Sequence, residues 1–264
     1  MSRPPIDFDK LGTALRAQGV PLEAEAYFAC RRHDWNCIHA YRYGEPPDTR
    51  EVDVLAYKTI DFLDDGGSKP RLSGGVVLLI ECKFATQWWV FVDLSDNTAS
   101  PGDLVATAQG VGIAPRLSTF VVSALRKEQP DFFDPPRTGS TRERSFDYKT
   151  AQRAQFYPAS QQALSAMRGS HFYELDPFSL QHPHLWLLAP AVMTNRPLII
   201  ARAREGSEDF EFEESDWLMS GSPPDLVHVV TKVGLDQLLT CLDRFTEGIG
   251  TPEADEFIRG LLRS

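Results

Sequence analysis

"VVLLIECKFATQWWVF", residues 76–91, decides how the chain is read. Val76 to Phe84 is long, apolar and β-branched enough for a central strand buried on both faces. Glu81 and Lys83 interrupt it, and two residues apart on a strand they project from the same face. Charges in such a run are costly to bury unless each is compensated. One explanation is an ordinary same-face ion pair near a strand end, which is nearly neutral energetically when exposed. The other is a site. Cys82 points away from both residues, into the core. Trp88 and Trp89 face opposite ways, so core packing is expected for at least one, and base stacking is the competing use.

Upstream, "REVDVLAYKTI" at residues 50–60 alternates as a strand. Val52, Val54 and Ala56 take one face; Glu51, Asp53 and Leu55 take the other. If this strand pairs with the apolar one, Asp53, Glu81 and Lys83 converge at one edge of the sheet. The two carboxylates and the backbone carbonyl of Cys82 are hard oxygen ligands suited to Mg²⁺, with Mn²⁺ as a substitute. Lys83 could orient or deprotonate an attacking water and stabilise charge developing on a phosphate. A cation, a lysine and two carboxylates compensate one another, which meets the burial objection.

The rest of the chain supplies the frame. "FDKLGTALRAQG" reads as a helix ending at Gly19, and "VPLEAEAYFACRRHDW" as a second opened by Pro21. "NCIHAYRY" is a strand, "DDGGSKPRLSGG" a loop and "WWVFVDL" a further extended segment. Residues 103–128 are expected to hold one or two helices interrupted by Gly110, Gly112 and Pro115, and residues 130–150 an exposed loop or lid. "YPASQQALSAMRG" is a helix ended by Gly169, "HLWLLAPAVMT", "RPLIIARARE" and "DLVHVVTKV" are strands, and "GLDQLLTCLDRFTEG" is a helix. The order predicts one mixed α/β domain over residues 1–264, with a helical lead-in over residues 1–20 and a sheet covered by helices.

"REVDVLA" followed by "LLIECKF" resembles the PD-(D/E)XK nuclease superfamily, whose signature is an acidic residue on one strand and (D/E)-x-K on the next. Asp53, Glu81 and Lys83 match the three positions; no proline precedes Asp53. The superfamily often adds a glutamate on the helix before the sheet. Glu23 matches it, with Glu25 the close alternative. A glutamine on a later helix is frequent in the Mrr-like branch; Gln162 offers it, with Gln161 as second choice. "ECKFATQWWVF" is similar to bacterial members whose lysine strand leads into a Trp-containing strand. The resemblance covers residues 20–92 and, loosely, 155–170. It implies a restriction-endonuclease-like mixed sheet flanked by helices and a Mg²⁺-dependent endonuclease of restriction or defence type. DNA would be its substrate before RNA, and it would act as a homodimer or with a partner protein. It leaves open a nuclease-like scaffold that no longer cuts and binds a protein or nucleic acid.

Composition narrows the field. A net charge of −10 argues against broad, non-specific nucleic-acid affinity, though not against a local basic cleft built from "RRHDW", "PPRTGSTRERSFDYK" or "ARAR". Arg50 could touch phosphate, or simply pair with Glu51. His182 and His184 share a face if extended, without a third metal ligand. Four cysteines without CxxC spacing read as reduced thiols of a cytoplasmic protein. No signal peptide and no membrane span are expected.

Overall fold

In this computed structural model the residues described are 7–17, 19–45, 47–61, 73–93, 104–111, 141–142, 144–147, 156–170, 172, 184–203, 208–221, 225–249 and five positions between 251 and 260. The apolar run forms strand β3 (Ser73–Lys83). On one side β3 pairs antiparallel with β2 (Arg50–Asp61), which pairs antiparallel with β1 (Asn36–Tyr43). On the other it runs parallel to β8 (His184–Thr194), in register from Ser73↔His184 to Lys83↔Thr194. Every residue of β8 is buried, as expected of a strand covered on both faces. Its far side is shared by β5 (Thr107–Val111), antiparallel to its first half, and β12 (Val227–Val230), parallel to its second. β11 (Trp217–Ser220) and the short β6 (Thr141–Arg142) complete this eight-stranded mixed sheet.

A second sheet grows out of the first. β3 and β8, parallel neighbours, continue after short turns into β4 (Trp89–Asp93) and β9 (Leu198–Ala203), again parallel neighbours. β7 (Arg144–Asp147) and β10 (Phe210–Ser215) flank them antiparallel, in the order β10-β9-β4-β7. The turns clasp each other: the Ala85 amide donates to Asn195 Oδ1 at 2.7 Å, and Arg196 Nε donates to the Ala85 carbonyl at 3.3 Å.

Alternation along the central strands divides the core. Val76, Leu78, Ile80 and Cys82 of β3 pack with Leu22, Ala26 and Cys30 of α2 (Val20–Arg32) and with Leu238, Leu242 and Phe245 of the last helix (Lys232–Ile249). Val77 and Leu79 face the other way, onto Phe156, Leu164 and Met167 of α3 (Phe156–Gly169) and the inner face of the second sheet at Trp89, Phe91 and Ile200. We number the last helix α4; α1 is Phe8–Ala17. The mixed α/β class and the sheet flanked by helices are as the sequence predicts. Gly19, expected past the end of α1, has φ +81° and is also the N-cap of α2.

Several expectations are corrected. Of residues 103–128, where one or two helices are expected, 104–111 are described and include the strand β5; the rest lies outside the described residues. The loop expected over 130–150 includes β6 and β7, each paired in a sheet. Gly74 and Gly75, read as loop, open β3. A Cβ on Gly75 would sit 2.0 Å from the Lys58 carbonyl oxygen, so the strands approach there only because the side chain is absent. Val52 does not share a face with Val54 and Ala56. It belongs to the core cluster of α3, they to that of α2 and α4. No helix among the described residues is long and apolar enough to cross a membrane.

Candidate active site

The phase slip that turns Val52 around occurs at Asp53. The β2–β3 ladder runs from Asp61↔Ser73 to Val54↔Ile80, and one further step would set Asp53 across from Glu81. On the β1 side, His39↔Val54 and Tyr41↔Val52 bracket Ala40, whose φ of +54° lies in the left-handed region that non-glycine residues rarely adopt. The irregularity therefore spans two strands at the row that contains Asp53. It frees the Asp53 side chain to reach the next strand: Asp53 Oδ2 accepts the Cys82 backbone N–H at 2.6 Å.

Glu81 and Lys83 lie at the same end, on one face as alternation predicts. Lys83 Nζ donates to Glu81 Oε1 at 2.5 Å. The Glu81 side chain is 1% exposed and that of Lys83 34%, so the pair bridges core and surface. Glu81 Oε2 is buried with no hydrogen-bond partner. Burial, then the charge of Asp53, push the Glu81 carboxyl up to about 7 against the pull of Lys83. Burial likewise raises Asp53, opposed by its bond from Cys82 and reinforced by Glu23. Burial by itself would lower the Lys83 ammonium, but the hydrogen bond and charge of Glu81, with Asp53, hold it above its usual value. Two carboxylates that each resist ionising beside a firmly charged lysine form a coupled acidic site.

Glu23 belongs to the same neighbourhood. It comes from the first turn of α2, and its charge acts on Asp53 and Glu81. Its Oε2 lies 3.1 Å from His39 Nε2. Glu25 turns elsewhere, accepting from Lys232 Nζ at 3.0 Å on the exposed side of α2 and α4. Gln162 ties α3 to β2, its Nε2 donating to the Glu51 carbonyl at 2.8 Å and its carbonyl accepting from Tyr43 Oη at 3.3 Å. Arg50 is exposed at the start of β2, with Tyr43 as its neighbour. Trp89, the first residue of β4, is buried, and Trp88, in the turn before it, is 45% exposed. His184 is buried in β8, and His182 lies outside the described residues.

His39 and Tyr43 are neighbours of the site that the sequence reading passed over. Tyr43 is buried and feels the charge of Glu81. The available signal was their position on the strand that precedes Asp53. Among the described residues no three His, Cys, Asp or Glu side chains are grouped to hold a metal. Any cation here would therefore rest on two carboxylates completed by main-chain oxygen and water. No family model, curated protein or solved structure matches this chain.

Proposed function

We propose that the chain is a metal-dependent phosphodiesterase of restriction-endonuclease-like fold that cleaves nucleic acid, DNA before RNA. One observation carries this reading: Asp53 stands at the end of the β2–β3 ladder beside the Glu81–Lys83 pair. Asp53, Glu81 and the Cys82 carbonyl would hold Mg²⁺ or Mn²⁺. The donor set fits, because Glu81 Oε2 is a buried oxygen without a partner, and both carboxylates are raised by burial and by neighbouring acids, Glu81 by Asp53 and Asp53 by Glu23. Bound there, the ion would supply Lewis acidity, acidifying a water and drawing charge from a phosphate oxygen.

The chain's own residues divide the remaining work. Lys83 stays protonated through the neutral range, which favours donation to a phosphate oxygen over removal of a proton from water. Its side chain, 34% exposed, is the part of the pair open to a substrate. Glu23 orients water or assists the metal from α2. Cleavage of both strands of a duplex in a restriction or defence role would call for two copies or a partner protein. In the test, purified protein nicks supercoiled plasmid with Mg²⁺ or Mn²⁺, and Lys83→Ala slows nicking by about 100-fold or more. Equal rates in the two proteins would end the reading.

The closed Lys83–Glu81 bond also favours a second reading, in which the pair satisfies itself and the fold serves as a binding scaffold. Calorimetry separates the two. Mn²⁺ binding that Asp53→Asn weakens supports the nuclease; no binding, or binding indifferent to the substitution, supports the scaffold.

A further inference from the structure

Cys30 and Cys37 meet at the corner where α2 hands the chain to β1. Cys30 lies in the last turn of α2 and is fully buried; Cys37, the second residue of β1, is only partly buried. The corner is held by its own main chain, the Trp35 amide donating to the Cys30 carbonyl at 3.1 Å. Cys37 Sγ donates to the Trp35 carbonyl at 3.4 Å and lies 3.9 Å from the carbonyl oxygen of Tyr27, which precedes Cys30 on the helix. Cys37 Sγ therefore rests on the stretch of α2 that carries Cys30, and the two thiols are hydrogen-bonded to each other. Arg31 joins them from between, its Nη1 donating to the same Trp35 carbonyl at 3.2 Å. Among the described residues no group of three His, Cys, Asp or Glu forms here that could hold a metal, which leaves the pair to thiol chemistry.

The two sulfurs are not equivalent. The hydrogen bond from Cys30 lowers the Cys37 thiol below its ordinary value, against burial and with help from the charge of Arg31. That same bond, then burial, raises Cys30 well above its own. An accessible thiolate beside a buried thiol is the arrangement of an attacking and a resolving cysteine. We propose that Cys37 and Cys30 form an oxidation site that a hydroperoxide converts to a reversible disulfide. Cys37 sulfur attacks the peroxide O–O bond, giving a sulfenic acid, and the leaving oxygen departs as water or alcohol. Cys30 sulfur then attacks Cys37 Sγ; the S–S bond forms, the S–O bond breaks, and hydroxide leaves as water with the Cys30 proton. Two thiols have lost two electrons and two protons, and the peroxide has been reduced. The bond ties α2 to β1, the elements that also carry Glu23 and His39. It is independent of whether the chain cleaves nucleic acid.

The test treats the full chain with a small excess of hydrogen peroxide, blocks remaining thiols, and digests with trypsin for mass mapping. Arg31 and Arg32 lie between the two cysteines, so cleavage there parts them unless a disulfide joins them. A joined Cys30–Cys37 peptide pair is expected, and dithiothreitol should part it again. This readout needs no substitution and so no variant that must fold. Cys30→Ser removes the resolving thiol and should raise capture of Cys37 sulfenic acid by dimedone about tenfold or more over wild type. Cys37→Ser should leave Cys30 unoxidised at the same dose. Several results would overturn the proposal: Cys37 untouched, Cys37 driven to sulfinic acid with Cys30 still free, or Cys37 joined to Cys82 or to a second copy. Equal dimedone capture in wild type and Cys30→Ser would do the same, since Cys30 would then resolve nothing.

Discussion

Glu81 is where burial and charge conflict most sharply, and its titration exposes the conflict. Its carboxyl moves from the ordinary 4.5 to about 7 in the folded chain, so the folded state keeps a proton that the unfolded chain releases between those values. The stability linked to that proton is fully present below 4.5 and is lost as pH rises through 7, with a ceiling on the order of 3 kcal/mol. In chelator, wild-type protein should therefore lose stability relative to Glu81→Gln as pH rises across this window. Denaturant melts at each pH give the difference curve, and a flat curve would refute the assignment. His39 carries a separate prediction that rests on the nuclease reading. Its bond to Glu23 makes it a positioning residue. His39→Ala should slow nicking about tenfold at saturating metal, while His39→Gln, which keeps a donor, restores most of the rate. A loss that Gln does not rescue would leave His39 a packing role only. Asp53, Glu81 and Lys83 were legible because strand alternation and the oddity of charge in an apolar run need no tertiary knowledge. His39 was not, because its meeting with Glu23 depends on the slip at Ala40, which no propensity marks.

Among the elements, α2, β2 and α4 are held by one carboxylate. Asp243 of α4 accepts from Lys58 Nζ of β2 at 2.7 Å and from Trp35 Nε1 at 2.8 Å, and His33 Nδ1 lies 2.7 Å from its other oxygen. Trp35 is fully buried, so removing its acceptor strands an indole N–H in the core. Asp243→Ala should cost about 3 kcal/mol, read from the shift in urea midpoint at unchanged slope. Asp236→Ala, on the exposed rim of the same cluster with Arg32 3.4 Å away, should cost under about 1 kcal/mol. Near-equal losses would show that the clamp is not what Asp243 provides. Elements with strong periodicity, such as β3, β8 and α4, could be read directly. β5 could not: Thr107–Val111 has a weak, glycine-interrupted pattern and is a strand because the first half of β8 offers it an open ladder. β10 was not assigned from the sequence: FEFEES alternates as a strand does, but its three glutamates mask the apolar pattern.

At the scale of the whole molecule, the two sheets are joined through their central pairs of strands, β3 and β8 leading into β4 and β9, so order must pass through the turns at 84–88 and 195–197. β3 and β8 deliver β4 and β9 already parallel, and the second sheet inherits its register from the first. The inheritance depends on the clasp. Asn195 Oδ1 accepts the amide of Ala85, which is 1% exposed, and Arg196 Nε holds the Ala85 carbonyl. Without the Asn195 side chain that buried amide has lost its acceptor, a cost of about 1–3 kcal/mol. The cost falls on the junction and not on the β1–β2 hairpin, whose ladder and packing on α2 do not involve it. Asn195→Ala should therefore raise the local opening of β4 and β9 by roughly tenfold or more, seen as faster amide exchange there under native conditions. β1 and β2 should exchange at the wild-type rate. Uniform acceleration across both sheets would mean that they open as one cooperative unit. The second sheet would then be an integral part of the core and not a layer hung from it.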